Sequence, residues 1–509
     1  MERDGVYQGL ALLVSMIFAI LGVIFLKPSL HEHRRTLSIL FLVGVSARFF
    51  VSLAVYQFGM LSVIGDEDGM GWVFGRILYH DWISRDVSLM MLPVRLMDAF
   101  AAEQGRHLGY RYLLATVFYF TQAPERMVAA VVSCIAGALL PLITFRVALK
   151  LFNPWVARFS AWAVCLTPSL ILWSSLTVKE PIVILLEMIA LSSCVRLRSR
   201  ERVWESILTC AACLILLGAF RFYATLIVGA AIVSALLSAE SLTTWRWGAL
   251  AVLLCGVGGV LGGTGWLQRQ TDYISSWDAT RLRQYRDVVA TNDPRTGGGG
   301  SGVRITDDVT SPAGAARTLA VGTAHLLLAP FPWNIGSGST RMVGTLPEVV
   351  IWWFAFFLGF VPGLRFTIRN RLADVAPMLI MLLGFGLIYS IMFGNVGLVF
   401  RQRAQLLPWL LIITGVGIQR RLSGEEYRSK PRRIRWRSRR AEDYDSYLAQ
   451  GDTHYTDSPT VQPERAQVAT TPSDSAPPPE HPTQQYANQT VDPSQSTRLS
   501  ATTPVERAS

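Results

Sequence analysis

The sequence predicts an all-α, polytopic transmembrane helical bundle, and three observations predict it. Its 509 residues are 51% hydrophobic and only 16% charged, with a mean hydropathy of +0.34, whereas soluble domains carry about a quarter charged residues. The apolar residues arrive in blocks of about 20, the length a helix needs to cross ~30 Å of hydrocarbon. Basic residues cluster in alternate connections between those blocks. Backbone groups in lipid have no water to bond, so each block closes its own hydrogen bonds as a helix.

Hydropathy and length together give about eleven spans, at 6–26, 37–57, 127–149, 157–175, 180–197, 204–219, 224–238, 247–265, 346–364, 374–393 and 404–418. The first follows Met-Glu-Arg-Asp and lacks a small-residue cleavage site, so it is expected to be a retained span and not a signal. Alternate connections hold Lys27, Arg34 and Arg35; Lys150; Arg196, Arg198, Arg200 and Arg202; Arg246; Arg365, Arg369 and Arg371; and a basic run beyond 419. The positive-inside rule puts these on the cytoplasmic side of a cell membrane, with the amino terminus outside and the carboxyl-terminal tail cytoplasmic. The long connections 58–126 and 266–345 are then external.

The chain accordingly divides into six stretches. Residues 1–36 form an additional helix and cytoplasmic loop, and 37–265 a first transmembrane half containing the external loop 58–126. The large external loop 266–345 is followed by helices over 346–418, a basic juxtamembrane segment 419–440 and a tail 441–509. "YRYLLATVFYF", Tyr110 to Phe120, is too short to span and is expected to lie along the interface. "LAVGTAHLLLAPFPW", Leu319 to Trp333, is broken by Pro330 and Pro332 and reads as an interfacial or re-entrant piece. "TNDPRTGGGGSG" lacks the Lys-Ser/Thr of a phosphate-binding loop and reads as a flexible linker. The tail is rich in Ser, Thr, Pro, Gln and Asp and is expected to be disordered.

The net charge of +11 does not point to nucleic acid. Ten Lys and Arg fall between Arg420 and Arg440, and a basic cluster after a final span suits anionic lipid at the cytoplasmic surface. The cysteines at 134, 165, 194, 210, 213 and 255 all lie in or beside apolar runs. Cys210 and Cys213 form a lone CxxC without a second pair, which reads as buried apolar thiols rather than a metal or redox site. His325, on an apolar face, reads as a buried structural histidine.

Two ionisable residues, Arg48 and Glu187, fall near the middle of spans, where charge is costly and usually paired. Both lie about halfway along their helices, so an ion pair between them is expected; a ligand-binding role is the alternative. At the external helix mouths stand Asp66, Glu67 and Asp68 in "SVIGDEDGMGW"; Lys179 and Glu180 in "WSSLTVKEP"; Arg221 and Tyr223 in "FRFYATL"; and Arg401, Arg403 and Gln405 in "GNVGLVFRQRAQLLP". The acids are either a solvated loop or the chemical centre. A carboxylate facing several cations suits displacement of a lipid-linked phosphate by a hydroxyl. The carboxylate takes the nucleophile's proton, and the cations stabilise charge on the leaving phosphate. Asp66-x-Asp68 also offers hard oxygen ligands for Mg or Mn.

The order of these features resembles the GT-C class of integral-membrane glycosyltransferases, which use sugars linked to polyprenyl phosphate. "GDEDG" occupies the place of that class's essential acid, in the first large external loop after a transmembrane helix. "LLPLITFRVALKLF" and "ARFSAWAVCLTPSLILWSSLTVKEPIVILLEMIAL" are similar to the first half of the fold in relatives such as the protein mannosyltransferases. "FGNVGLVFRQRAQLLPWLLI" is similar to the last helix pair of bacterial members. The likeness covers residues 37–418; the helix at 6–26 departs from it. It implies Asp66 as the catalytic acid residue with Glu67 second, and Arg401, Arg403, Lys179 and Arg221 around the lipid phosphate. The implied activity moves a sugar from a polyprenyl-phosphate carrier to an external glycan, lipid or protein. A polymerase or ligase of lipid-linked oligosaccharides is the alternative within the enzymes. A transporter or flippase of lipid-linked sugars, or a scaffold recruiting partners through its tail, stands outside them.

Overall fold

The computed structural model describes residues 2–60, 69–86, 91, 108–199, 201–237, 244–291, 311–335 and 340–423. The chain divides into two units, Met1–Trp436 and Arg437–Ser509, and every described residue belongs to the first. The acidic triplet at 66–68, the glycine run, the basic segment beyond 423 and the tail lie outside the described residues.

The described residues form helices and no strand. In order they are α1 (Glu2–Leu26), α2 (Arg34–Gln57), α3 (Gly69–Ser84), α4 (Leu108–Thr121), α5 (Arg126–Leu151), α6 (Pro154–Leu166), α7 (Pro168–Ser175), α8 (Glu180–Arg198) and α9 (Val203–Phe220). Then come α10 (Phe222–Leu237), α11 (Thr244–Gly263), α12 (Trp266–Ser275), α13 (Ala279–Thr291), α14 (Pro312–Leu328), α15 (Pro332–Ile335), α16 (Thr340–Ala355), a π-helical turn (Phe356–Phe360), α17 (Val361–Ile391) and α18 (Val396–Leu422).

Among the described residues six helices are long and apolar enough to cross a membrane, or eight if each bent pair counts as one span. The expectation of about eleven is therefore reduced, and each loss has a cause. α8 has the length but carries Glu180, Glu187, Arg196 and Arg198 in 19 residues. α10 has only 16 residues. The stretches 346–364 and 374–393 merge into one apolar run of 48 residues, Gly344–Ile391. At about 1.5 Å per residue that run is more than twice as long as hydrocarbon is thick. Arg365 to Arg371 interrupt it, and the backbone kinks at Arg371 (φ −141°, ψ 24°). The pairs α6–α7 and α11–α12 bend by 53° and 77°. Pro168 ends α6 at Thr167, because proline drives its predecessor to extended backbone (φ −62°, ψ 119°).

Two helices lie deepest: 83% of the apolar window of α5 and 78% of that of α18 are buried. α5 packs against α1, α2, α6, α7 and α8, and α18 packs against α6, α17 and the π turn. Helices approach closely where both lack side chains. A Cβ on Gly363 would lie 2.1 Å from Ile413 O, and one on Gly417 would lie 1.8 Å from Gly359 O.

The segment expected to be a broken interfacial piece is instead mostly a continuous helix. α14 is capped by Ser311, whose hydroxyl accepts from Gly314 N at 3.1 Å, and it packs against α17 and α18. Its Gly322 lies directly against the backbone of Ser390. Trp352 Nε1 and Trp353 Nε1 donate to Leu327 O and Leu328 O at 2.6 and 2.7 Å, and Arg403 Nη1 donates to Ala329 O at 2.7 Å. Three side chains thus satisfy the carbonyls a helix end leaves open. The prolines sit just after this terminus and do not break the helix.

Arg48 and Glu187 do not pair. Arg48 is fully buried, donating Nε to Ser174 Oγ at 2.8 Å and Nη1 to Gly44 O at 2.9 Å. Glu187 accepts from Gln405 Nε2. Ser174 of α7 and Gly44 of its own helix supply Arg48's oxygens, so its partners are dipoles and not a carboxylate. Five cysteines are buried, as expected, while Cys255 faces outward. His325 is half-buried and stacks on Phe393 at 4.4 Å, with Nδ1 2.8 Å from Val321 O.

Candidate functional site

Five helix termini meet at one end of the bundle: the starts of α8, α10 and α18 and the ends of α9 and α17. The sequence sets each of them. Pro181 stands in the first turn of α8, where its missing N–H costs nothing. Arg221 occupies a one-residue break between α9 and α10 in extended backbone (φ −154°, ψ 104°), its N–H returning to Leu217 O at 2.6 Å. Asn395 caps α18, its side chain accepting from Gly397 N at 2.8 Å and Leu398 N at 3.3 Å.

Glu180 is the hub of this end. Its Oε1 accepts from Arg221 Nη2 at 2.6 Å and its Oε2 from Arg401 Nη2 at 2.8 Å. The Glu180 side chain is 7% exposed, against 10% for Arg221 and 21% for Arg401, so Arg401 is the more accessible cation. Arg221 Nη1 also donates to Gln405 Oε1 at 2.8 Å and to Tyr389 OH at 2.9 Å. Tyr389 donates to the same Gln405 oxygen, and Tyr223 OH lies 3.4 Å from Tyr389 OH. Gln405 Nε2 then donates to Glu187, whose Oε2 is buried without a hydrogen-bond partner among the described residues. Glu180 and Glu187 are seven residues apart, two helical turns on one face, and Arg401 and Gln405 are one turn apart. The network therefore runs about 10 Å down from the helix mouth.

The charges do not balance. Two guanidiniums share one carboxylate, and Lys179 stands beside them with no hydrogen-bond or ion-pair partner among the described residues. Burial, and then the fields of Arg221 and Arg401, push the Lys179 ammonium from its ordinary 10.5 down to about 7. Arg111 of α4, stacked 3.9 Å over Phe74, adds to that field. Trp173 lies under Arg401 at 5.4 Å, its indole nitrogen buried without a partner among the described residues. An excess of cations with donors to spare, at a helix amino terminus, is an arrangement that receives an anion.

Of the sequence-predicted residues, the structure brings Lys179, Arg221 and Arg401 together, with Tyr223 and Gln405. Arg403 is elsewhere: it is 1% exposed, caps α14 and lies 4.6 Å over Phe400. Asp66 and Glu67 lie outside the described residues. The described chain on either side of them reaches Thr177, two residues before Lys179. Thr177 N donates to Tyr56 OH at 3.0 Å, and a Cβ on Gly71 would lie 3.8 Å from Thr177 O.

Glu180 as hub, Tyr389 and Arg111 were missing from the sequence reading. Tyr389 stands beside Ser390 near the end of an apolar run with nothing local to mark it, and Arg111 stands in plain view within the Tyr-rich stretch. Comparison with protein-family models, curated proteins and solved structures finds no match.

Proposed function

We propose that this chain is a multi-pass membrane glycosyltransferase, moving a sugar from a polyprenyl-phosphate carrier to an acceptor at the outer membrane surface. The observation that carries this reading is the sharing of Glu180 by Arg221 and Arg401 beside Lys179, which has no ion-pair partner among the described residues. In this reading Arg401 and Arg221 hold the phosphate oxygens of the donor. The acceptor hydroxyl forms a bond to the sugar's anomeric carbon as the carbon–oxygen bond to phosphate breaks. The electron pair passes to the phosphate oxygen, giving a second negative charge that protonated Lys179 meets. The hydroxyl's proton goes to Asp66, with Glu67 second; the approach of Tyr56 and Gly71 to Thr177 supports that role. Arg403 acts by holding α14 and not on the phosphate. A divalent cation on Asp66 and Asp68 would supply further charge neutralisation to the same phosphate. The basic connections support an outward-facing site.

A polymerase or ligase of lipid-linked oligosaccharides would use the same phosphate cluster. A transporter of lipid-linked sugars is favoured by other features, namely the bent pairs α6–α7 and α11–α12 and the carboxylate of Glu187 partway along α8. The discriminating experiment offers the full chain in vesicles a labelled polyprenyl-phosphate-linked sugar and follows both bond cleavage and lipid movement. Cleavage that is lost in Asp66→Asn and in Arg401→Ala supports the transferase. Movement across the bilayer with every donor intact overturns it.

A further inference from the structure

The opposite end of α17 and α18 carries a second cationic site, unrelated to the first. Its position follows from helix geometry. Arg401 and Arg420 are nineteen residues apart on the one helix α18, which separates them by about 28 Å. That is close to the ~30 Å of hydrocarbon in a bilayer. The two arginine layers therefore stand at opposite membrane surfaces.

Around Arg420 the structure has a cavity of about 500 Å³ whose lining includes Arg365, Arg369, Arg420 and Arg421. Phe357, Val361, Pro362 and Phe366 complete its lining. Backbone contact between the π turn, α17 and α18 at Gly359, Gly363 and Gly417 holds the two sets of arginines close. Arg365 and Arg369 are one turn apart on α17, and Arg420 and Arg421 are adjacent in the last turn of α18.

Some cations elsewhere at this end have carboxylate partners, Lys150 with Glu201 and Arg198 with Asp374, and Arg371 donates to Leu151 O at 2.8 Å. The four arginines of the cavity have no carboxylate partner among the described residues. Arg420 instead lies 4.3 Å over the Phe366 ring, which fixes its guanidinium at the cavity wall. Like charges one turn apart repel, so a bound anion would relieve the arrangement. The wall tells which kind. Phe357 and Leu358 are 57% and 47% exposed, so the apolar side of the cavity continues onto a surface that faces acyl chains. A ligand with phosphate at one end and hydrocarbon at the other matches both sides.

We propose that this groove binds the headgroup of an anionic phospholipid from the leaflet at this end of the bundle. The phosphate sits among Arg365, Arg369, Arg420 and Arg421, and an acyl chain runs along Phe357 and Val361. This site is separate from the candidate catalytic cluster and stands whether or not that cluster transfers sugar.

The test places the purified full chain in vesicles of phosphatidylglycerol and phosphatidylcholine, then measures retained lipid by native mass spectrometry. Wild type is expected to retain phosphatidylglycerol in preference to phosphatidylcholine. At about fivefold per arginine, the double variant R365Q/R369Q is expected to lose about twenty-fivefold of that preference. The exposed R421Q, in the last turn of its helix, serves as the variant least able to disturb folding and is expected to lose about fivefold. Equal retention of the two lipids by wild type overturns the proposal, whatever else fills the groove, the chain's own acidic tail included. So does an unchanged preference in both variants, or displacement of the lipid by millimolar inorganic phosphate.

Discussion

Replacing Lys179 by Met removes a cation of the cluster that has no ion-pair partner among the described residues, and its consequence can be worked from the structure. The folded chain holds this ammonium at about 7, against an ordinary 10.5. At about 1.4 kcal/mol per pH unit, the charged form is penalised by something on the order of 5 kcal/mol. The sign follows from proton binding. Between pH 7 and 10.5 the unfolded chain carries the proton and the folded chain does not, so wild-type stability rises with pH across that window. Below pH 7 both states are protonated and the whole penalty is present. K179M is therefore expected to melt above wild type at pH 6 to 7 in detergent. The gap should close as pH approaches 10.5. A difference in melting temperature that stays constant from pH 6 to 10 would refute the burial argument for Lys179.

Three further outcomes follow from the packing. Glu180→Gln strips the carboxylate from two largely buried guanidiniums and is expected to cost about 3–5 kcal/mol, visible as a lowered melting temperature; an unaltered melt would show that Arg221 and Arg401 do not depend on it. Gly363→Ala puts a methyl group 2.1 Å from Ile413 O and must push α17 from α18, so a loss of about 1–3 kcal/mol is expected. Gly386→Ala, which meets nothing within 4 Å, is the control and should be neutral or stabilising by up to about 1 kcal/mol. The double reversal Arg48→Glu with Glu187→Arg should fail to rescue either single reversal, and restored folding would show that the two groups interact after all.

The helices were legible where one physical rule governed them. The spans at 6–26, 37–57, 127–149 and 204–219 match α1, α2, α5 and α9 within a few residues, because length and hydropathy alone decide them. α8 shows where that rule weakens: its carboxylates Glu180 and Glu187 are accommodated by partners on α18 and at the α9–α10 break, which no local window contains. Arg48 shows the same limit from the other side. Mid-span charge called for a partner, yet the oxygens that satisfy it come from Ser174 and from its own helix. Lys179, Arg221 and Arg401 could be grouped from sidedness, since each marks a helix mouth on one face. Arg403, two residues from Arg401, could not be separated from it without the helix register. That register turns its guanidinium toward Ala329 and away from Glu180. The glycine contacts of α17 with α18 went unread, because which glycines face a neighbour depends on the packing itself.

The measurement closest to the central claim is the dissociation constant of polyprenyl phosphate for the full chain in nanodiscs, compared with that of Arg401→Ala between pH 6 and 9. The account predicts tight binding at pH 6 that weakens as Lys179 loses its proton above about pH 7. It also predicts at least about tenfold weaker binding in the variant, the size of one charge-assisted hydrogen bond lost. Equal constants for the two proteins, flat across that pH range, would contradict it.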